Sequence, residues 1–397
     1  MISAALLAGI PVVAVTGLLS YVAYEPTLGP NDLFGDAGIL DFYLFSWPTS
    51  PSWLYALTQG LHVIGGIALV PIVLVKLWSA MPKLFEWPPL RSPAHALARA
   101  SLALLVSSTL FEFATGILNV QIYYPWRFSF LAAHLYGGWV FIASFVLHTA
   151  VKLPTMRRSL AERRLLDELR RGLPETVPET GDSELIPAAP SAPTISRRGV
   201  LGLTGGASLG LLTLTAGQSV GGPLRDIALL APHGRDLGSG PNDFQVNKTA
   251  AAVGIARGQV DASWRLRVIG GKRTIELSRV QLLAMAQHTY EMPIACVEGW
   301  STTQAWSGVR LRDLAALADV ERFDELYVES LQARGSFRRA ALSVSQARDR
   351  RSLLALRVNG ADLSLDHGYP ARVIVPALPG VHCTKWVRRL EFRGTQA

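Results

Sequence analysis

The sequence predicts an all-α bundle of membrane-spanning helices followed by an α+β domain. Three observations lead there. The 397 residues are 49% hydrophobic with a mean hydropathy of +0.26, which is too long for one ordinary domain and too apolar for a wholly soluble chain. Apolar stretches, each of the roughly 20 residues a bilayer core requires, recur before residue 155. From about Pro241 onward the pattern changes to short alternating strands and turn residues that do not interleave regularly with helices, as α+β domains do.

The first span runs from about Ile2 to Ala23. The loop from Glu25 to Trp53 carries Glu25, Asp32, Asp36 and Asp41 and no lysine or arginine, which places it outside by the positive-inside rule, with Tyr43, Trp47 and Trp53 suited to an interfacial belt. Span two, about Leu54 to Val75, leads into a basic connection of Lys76, Lys83, Arg91 and Arg99 that belongs inside. Span three, about Leu102 to Ile122, passes through Tyr123-Tyr124-Pro125-Trp126-Arg127 into span four, about Phe130 to Val151, and Lys152, Arg157 and Arg158 mark the return inside. The net charge of +8 is thus used in membrane orientation, and no nucleic-acid partner is expected.

Ser159 to Leu173 has leucines at helical spacing among many charges and reads as a surface helix. Glu175 to Thr194, rich in Pro, Glu, Ser, Thr and Ala, reads as a disordered linker. Ser196-Arg197-Arg198-Gly199-Val200-Leu201 opens a glycine-studded apolar segment to about Val220. It resembles a twin-arginine export signal in mid-chain and is kept as a fifth membrane anchor. The expected domains are residues 1–155, a four-span membrane domain; 156–195, a cytoplasmic helix and linker; 196–222, the anchor; 223–240, a second linker; and 241–397, the α+β domain on the extracytoplasmic side of a cell membrane. Within the last, Ser263 to Ile269 reads as a strand stopped by Gly270-Gly271, Val309 to Leu317 as a short helix, and Leu353 to Val358 as a strand entering the turn Asn359-Gly360.

The histidines carry the first chemistry. His62 and His134 fall in the outer halves of spans two and four, so one metal could lie between them. His148 returns to the face of His134 within about 40°, roughly 21 Å further along the helix. His95, at the inner start of span three, is the candidate partner of His148. An ionisable group inside a span is costly unless it has a use. This region resembles the four-span cytochrome b subunits of bacterial hydrogenases and formate dehydrogenases, which implies haem b at His62 and His134 and a second haem at His148 and His95. Span one, however, holds no histidine where that family has a ligand.

Cys296 and Cys383 are the only cysteines. Two cannot build a disulfide framework, and neither lies in a CxxC pair, so a metal at either would need a cofactor to supply its remaining ligands. Cys296-Val297-Glu298-Gly299-Trp300-Ser301, then Trp306-Ser307-Gly308-Val309-Arg310-Leu311, then His367-Gly368-Tyr369-Pro370-Ala371-Arg372, then Gly380 to Lys385-Trp386, resembles in order and spacing the sulfite oxidase superfamily of molybdopterin enzymes. The nearest branch is the periplasmic protein-methionine-sulfoxide reductase catalytic subunits. The resemblance implies that Cys296 is the one protein thiolate on molybdenum, with Glu298 toward the metal pocket. It further implies that Arg372 pairs with the cofactor phosphate, with His367 beside it, and that Cys383, Thr384 and Lys385 wrap the pterin. Asn242 and Ser330 are further cofactor contacts on the same basis.

Ser301 stands where sulfite oxidases carry an anion-binding arginine, five positions after the metal cysteine, and the sequence after Arg393 leaves no room for their C-terminal immunoglobulin-like domain. Both disfavour sulfite. The expectation is a membrane-anchored oxidoreductase that transfers an oxygen atom to or from a small-molecule or oxidised-sulfur substrate, first an S- or N-oxide, with a quinone or another electron carrier as partner. The alternative is a non-catalytic molybdopterin-fold docking or assembly module on a haem-free anchor. A transporter would need charged groups along a path, and Glu112 is the only acidic residue inside the expected spans.

Overall fold

The structure, a computed structural model, describes residues 2–33, 45–85, 87, 92–162, 170, 172–176 and 191–394. Most of the expected surface helix and linker, and Asp36, Asp41, Tyr43 and Arg91, lie outside the described residues. Five helices, α1 (Ile2–Ala23), α2 (Leu54–Leu84), α3 (Pro93–Val120), α4 (Phe130–Glu162) and α5 (Arg197–Val220), are long and apolar enough to cross a membrane. Helices α2 and α4 run well past their apolar stretches, to Leu84 and Glu162. The start of α3 follows from local chemistry: the Ser92 hydroxyl accepts from the His95 amide at 3.1 Å, and Pro93 needs no amide partner.

The chain divides into two compact units, Met1–Val15 with His62–Thr213, and Thr16–Leu61 with Leu214–Ala397. In the first, α3 and α4 pack closely where Gly137 and Gly116 leave room. A Cβ at Gly137 would strike the Glu112 carboxylate and the Phe111 ring, and one at Gly116 would press on the His134 ring at 3.3 Å. Small residues at such crossings let apolar helices approach without the hydrophobic drive that operates in water.

The second unit is α+β. One mixed sheet has the order β2-β1-β10-β5-β6, built from β1 (Arg265–Gly270), β2 (Arg273–Ser278), β5 (Glu325–Ser330), β6 (Arg339–Ser343) and β10 (Val387–Arg393), with β1 parallel to β10. The other has β3 (His288–Ala295), β4 (Ser301–Arg310), β7 (Leu353–Val358) and β8 (Ala361–Asp362) in that order, with β9 (Arg372–Ile374) on β7. Strand β1 alternates as its sequence requires, with Leu266 and Val268 buried between exposed arginines. Three short helices, α6 (Arg279–Ala284), α7 (Leu311–Leu317) and α8 (Val344–Arg348), fill the connections. Val309 and Arg310, expected at the start of α7, instead extend β4, because they pair with Leu354 and Leu353 of β7.

Segments upstream of the sheets are built into this unit. The Asn31 side chain donates to the Ala341 carbonyl at 2.9 Å and accepts from its amide at 2.8 Å, covering the outer edge of β6, which would otherwise offer unpaired backbone groups. The buried Trp47 donates its indole N–H to the Ala377 carbonyl at 2.7 Å, and Arg351 reaches the Thr49 carbonyl at 2.9 Å.

Candidate functional site

Strands β3 and β4 form a hairpin whose register closes on Ala295 opposite Ser301, so Cys296–Trp300 is its loop. The loop turns on itself: the Cys296 amide donates to the Trp300 carbonyl at 2.9 Å and the Gly299 amide to the Cys296 carbonyl at 3.0 Å. Gly299 has φ +88°, a left-handed conformation that a side chain would strain. The result is a cysteine 3% exposed at a small cavity lined also by Phe244, Gln245, Asn247, His367, Arg372 and Lys385.

Two cations enter this cavity with no carboxylate in ion-pair contact among the described residues. Arg372, at the start of β9 and 5% exposed, donates to the Cys383 carbonyl at 3.2 Å and the His367 carbonyl at 3.4 Å, over the Trp306 ring. Burial draws it down to about 10. The Lys385 ammonium donates to the Asp366 carbonyl at 2.9 Å, to the Asn247 side chain at 3.3 Å and to the Lys248 carbonyl; burial, then Arg372, brings it down to about 7. Gly368, φ +112°, lets the chain pass Lys385, since a Cβ there would lie 3.1 Å from the lysine Cβ. His367 stacks on Phe244 with ring centroids 3.7 Å apart and donates Nε2–H to the Asn242 carbonyl at 2.8 Å. Burial, then Arg372, lowers it to about 4, so it is neutral. The Gln245 Oε1 and Thr384 Oγ1 atoms are buried without a partner.

The Cys296 thiol is pushed well above its ordinary value by burial and then by the Glu298 carboxylate. A thiolate there needs a positive partner at the sulfur, and the two cations need a negative one, so the cavity calls for a group that carries both. Glu298 is buried; its carboxylate accepts from the Trp300 indole at 2.7 Å and is paired with His233.

The other expected residues support rather than line the cavity. The Asn242 side chain braces the turn beyond β7, donating to the Asp362 carbonyl at 2.9 Å and accepting from the Ser364 amide at 2.7 Å. The Ser330 hydroxyl donates to the Lys385 carbonyl at 2.7 Å, and Cys383 packs its sulfur into the core around Trp306 and Met292. Phe244, Gln245, Asn247 and His233 were not singled out by the sequence. Each precedes the cysteine loop by about 50 residues or more and belongs to no motif.

In the helical unit, the His62 and His134 rings lie 6.0 Å apart between centroids, at 79°. His62 Nδ1 lies 2.8 Å from the Val13 carbonyl, which can only accept, so Nδ1 carries the proton. The Thr115 hydroxyl spends its proton on the Phe111 carbonyl at 2.7 Å, so His134 Nδ1, 2.9 Å away, donates to it. The Glu112 carboxylate lies 3.2 Å from the same nitrogen. With Nδ1 of each ring engaged in this way, Nε2 is the nitrogen left to each imidazole for a metal. Among the described residues no ring contact joins His148 and His95. His148 has Lys76 and Lys152 in electrostatic reach, and the His95 Nδ1 is buried without a partner.

Residues 253–397 match the family described as oxidoreductase molybdopterin binding domain. The chain is 30% identical over 163 residues to the mitochondrial sulfite oxidase of Rattus norvegicus, covering 34% of this chain and 30% of that protein. It is 32% identical over 131 residues to the uncharacterized oxidoreductase YuiH of Bacillus subtilis (strain 168), covering 32% of this chain and 65% of the relative. To the NAD(P)H nitrate reductase of Hordeum vulgare it is 34% identical over 103 residues, covering 23% and 11%. The chain thus spans about a third of the length of the sulfite oxidase it matches.

Proposed function

We propose, from the molybdopterin-binding oxidoreductase domain of the sulfite oxidase family that residues 253–397 form, that the whole chain is a membrane-anchored enzyme of oxygen-atom transfer. The observation that carries this reading is the cavity itself: one buried cysteine sulfur with two buried cations that have no carboxylate in ion-pair contact among the described residues. Molybdopterin supplies both missing charges, a metal for the sulfur and a phosphate for the guanidinium, and the free acceptor of Gln245 and hydroxyl of Thr384 suit a polar ring system. When bound, the group supplies two-electron oxygen-atom chemistry.

The chain's own residues do the rest. Cys296 holds the metal as a thiolate, the ligand type that suits a soft, sulfur-bound metal. Arg372 and Lys385 bind the phosphate and pterin edge by charge-assisted hydrogen bonds, for which the planar guanidinium is well shaped. Neutral His367, clamped on Phe244, fixes the floor of the cavity. Asn242, Ser330, Cys383 and Thr384 hold the backbone around those cations. Glu298 stands beside the metal sulfur with its carboxylate held in place. Ser301 contributes no positive charge beside the loop, which supports an uncharged S- or N-oxide over an anion as substrate.

The five apolar helices support a multi-pass membrane protein with this domain on the extracytoplasmic side, delivered by the twin-arginine-like start of α5. His62 and His134 are the proposed ligands of a haem b. Two ring nitrogens, each about 2 Å from one metal, separate imidazole centroids by roughly 6 Å, and the two rings here are 6.0 Å apart. A haem there supplies one-electron exchange with a quinone. His148 and His95 remain the candidate ligands of a second haem.

Metal analysis of protein made with functional cofactor synthesis tests the enzyme reading. About one molybdenum per chain, lost or spectroscopically altered in Cys296→Ala, is expected together with reduction of methionine sulfoxide or trimethylamine N-oxide by a dye donor. Protein without molybdenum overturns it.

A further inference from the structure

The loop that carries Cys296 is short: two backbone hydrogen bonds close its turn, the Trp300 indole donates to Glu298 within it, and Cys296 and Trp300 pack into the core around Met292 and Trp306. Further contacts reach it from outside residues 253–397. The Gln59 side chain, on the first turns of α2, donates to the Val297 carbonyl at 2.6 Å. The Ser219 hydroxyl, at the end of α5, donates to the Gly299 carbonyl, and the Ser219 carbonyl accepts from the Ser301 hydroxyl at 3.0 Å. His233, in the segment after α5, holds the Glu298 carboxylate while its ring meets the Trp300 ring edge-on at 5.9 Å. Val297, Glu298, Gly299 and Ser301 are thus each gripped by residues from three separate upstream segments.

We propose that Gln59, Ser219 and His233 are positioning residues that form a collar around the metal-cysteine loop, so that the catalytic site is completed by helix ends outside the molybdopterin-binding domain. The proposal rests on the reading of Cys296 as metal ligand. A ligand on a hairpin loop keeps its geometry only where a supporting shell fixes the loop. The loop's own bonds, two backbone and one between Trp300 and Glu298, leave the Val297 and Gly299 carbonyls and the Ser301 hydroxyl to be held by the collar. None of the three residues contacts the cavity itself; they act through loop carbonyls and the Glu298 carboxylate.

Hydrogen exchange on the full-length protein in detergent tests this, because it reads the loop with or without the metal. In Gln59→Ala, Ser219→Ala and His233→Ala, amides of residues 296–301 are expected to exchange about tenfold faster, the scale of one lost buried hydrogen bond, with β1 and β10 unchanged. The molybdenum(V) resonance is expected to shift while molybdenum content stays at the wild-type level. His233→Gln, which keeps an N–H donor toward Glu298, is expected to restore most of the protection. Unchanged loop exchange in all three alanine variants overturns the collar, as does acceleration spread equally over β1 and β10. Failure of the metal reading shows separately, as a Cys296→Ser protein whose molybdenum signal equals that of the wild type.

Discussion

As the proposed molybdopterin and haem sites, the cavity at Cys296 and the histidine pair at His62 and His134 are built in opposite ways. At the cavity the chain stores unbalanced charge. Arg372 and Lys385 are buried with no carboxylate in ion-pair contact among the described residues, and Cys296 is buried beside the Glu298 carboxylate, so a group carrying both a metal and a phosphate would relieve both. At the histidine pair the rings are placed by hydrogen bonds: His62 Nδ1 on the Val13 carbonyl, and His134 Nδ1 on the Thr115 hydroxyl with the Glu112 carboxylate 3.2 Å away. On the proposed function the first site would select its ligand by charge, and the second by the nitrogens of its rings.

Breaking each site separates the two. The largest effect is expected at Cys296. Cys296→Ser should lower oxygen-atom transfer by more than about a hundredfold, since losing even an outer-shell partner of a metal costs 10–100-fold. The b-type optical spectrum should remain intact, as an assay with paired spectra on the same membranes would record. His62→Ala or His134→Ala should do the reverse, removing the reduced-minus-oxidised b-type spectrum while molybdenum content is unchanged.

Arg372→Met is expected to act with opposite signs on the two forms of the protein. Cofactor retention should weaken by about 2–5 kcal/mol, the usual cost of truncating one partner of a buried, hydrogen-bonded charge pair. The cofactor-free protein should melt higher than wild type, because a buried uncompensated cation has gone. Thermal melts with and without cofactor read both.

The smallest effect belongs to Lys385, lowered to about 7 from an ordinary 10.5. Below about pH 7 it is protonated in folded and unfolded chains alike, and its burial cost is fully present. Between about 7 and 10.5 the unfolded chain holds the proton that the folded chain has released, so cofactor-free protein gains stability as pH rises through that window. In Lys385→Met this rise should be smaller, as melts at about pH 6 and about pH 9 would detect. An equal rise in both proteins would mean that the ammonium is already neutralised in the wild type.

The two sites also differ in how far they could be read from the chain. Cys296, His367, Arg372 and Lys385 sit in contiguous motifs whose glycines and tryptophans fix local turns, so their register was visible. Phe244, Gln245 and Asn247 were not, because they line the cavity from an irregular segment without periodicity. His233 reaches Glu298 across 65 positions, and nothing local marks a lone loop histidine as a carboxylate partner. Asn242 was legible as important but not in its manner, since its side chain braces the 362–364 turn. Strand β1 followed from alternation and β7 from an apolar run entering the Asn359-Gly360 turn, whereas the start of α7 did not follow, because pairing with β7 overrode the local pattern at Val309 and Arg310. The use of Asn31, Trp47 and Gln59 by the α+β unit is a long-range result that no local pattern carries.

A redox titration of the purified full-length protein, followed by optical and electron paramagnetic resonance spectroscopy together, tests the central claim most directly. A molybdenum(V) signal that is lost or altered in Cys296→Ser, alongside a b-type haem spectrum lost in His62→Ala, is the predicted result. A wild-type protein loaded under functional cofactor synthesis that gives no molybdenum(V) signal at any potential would contradict it.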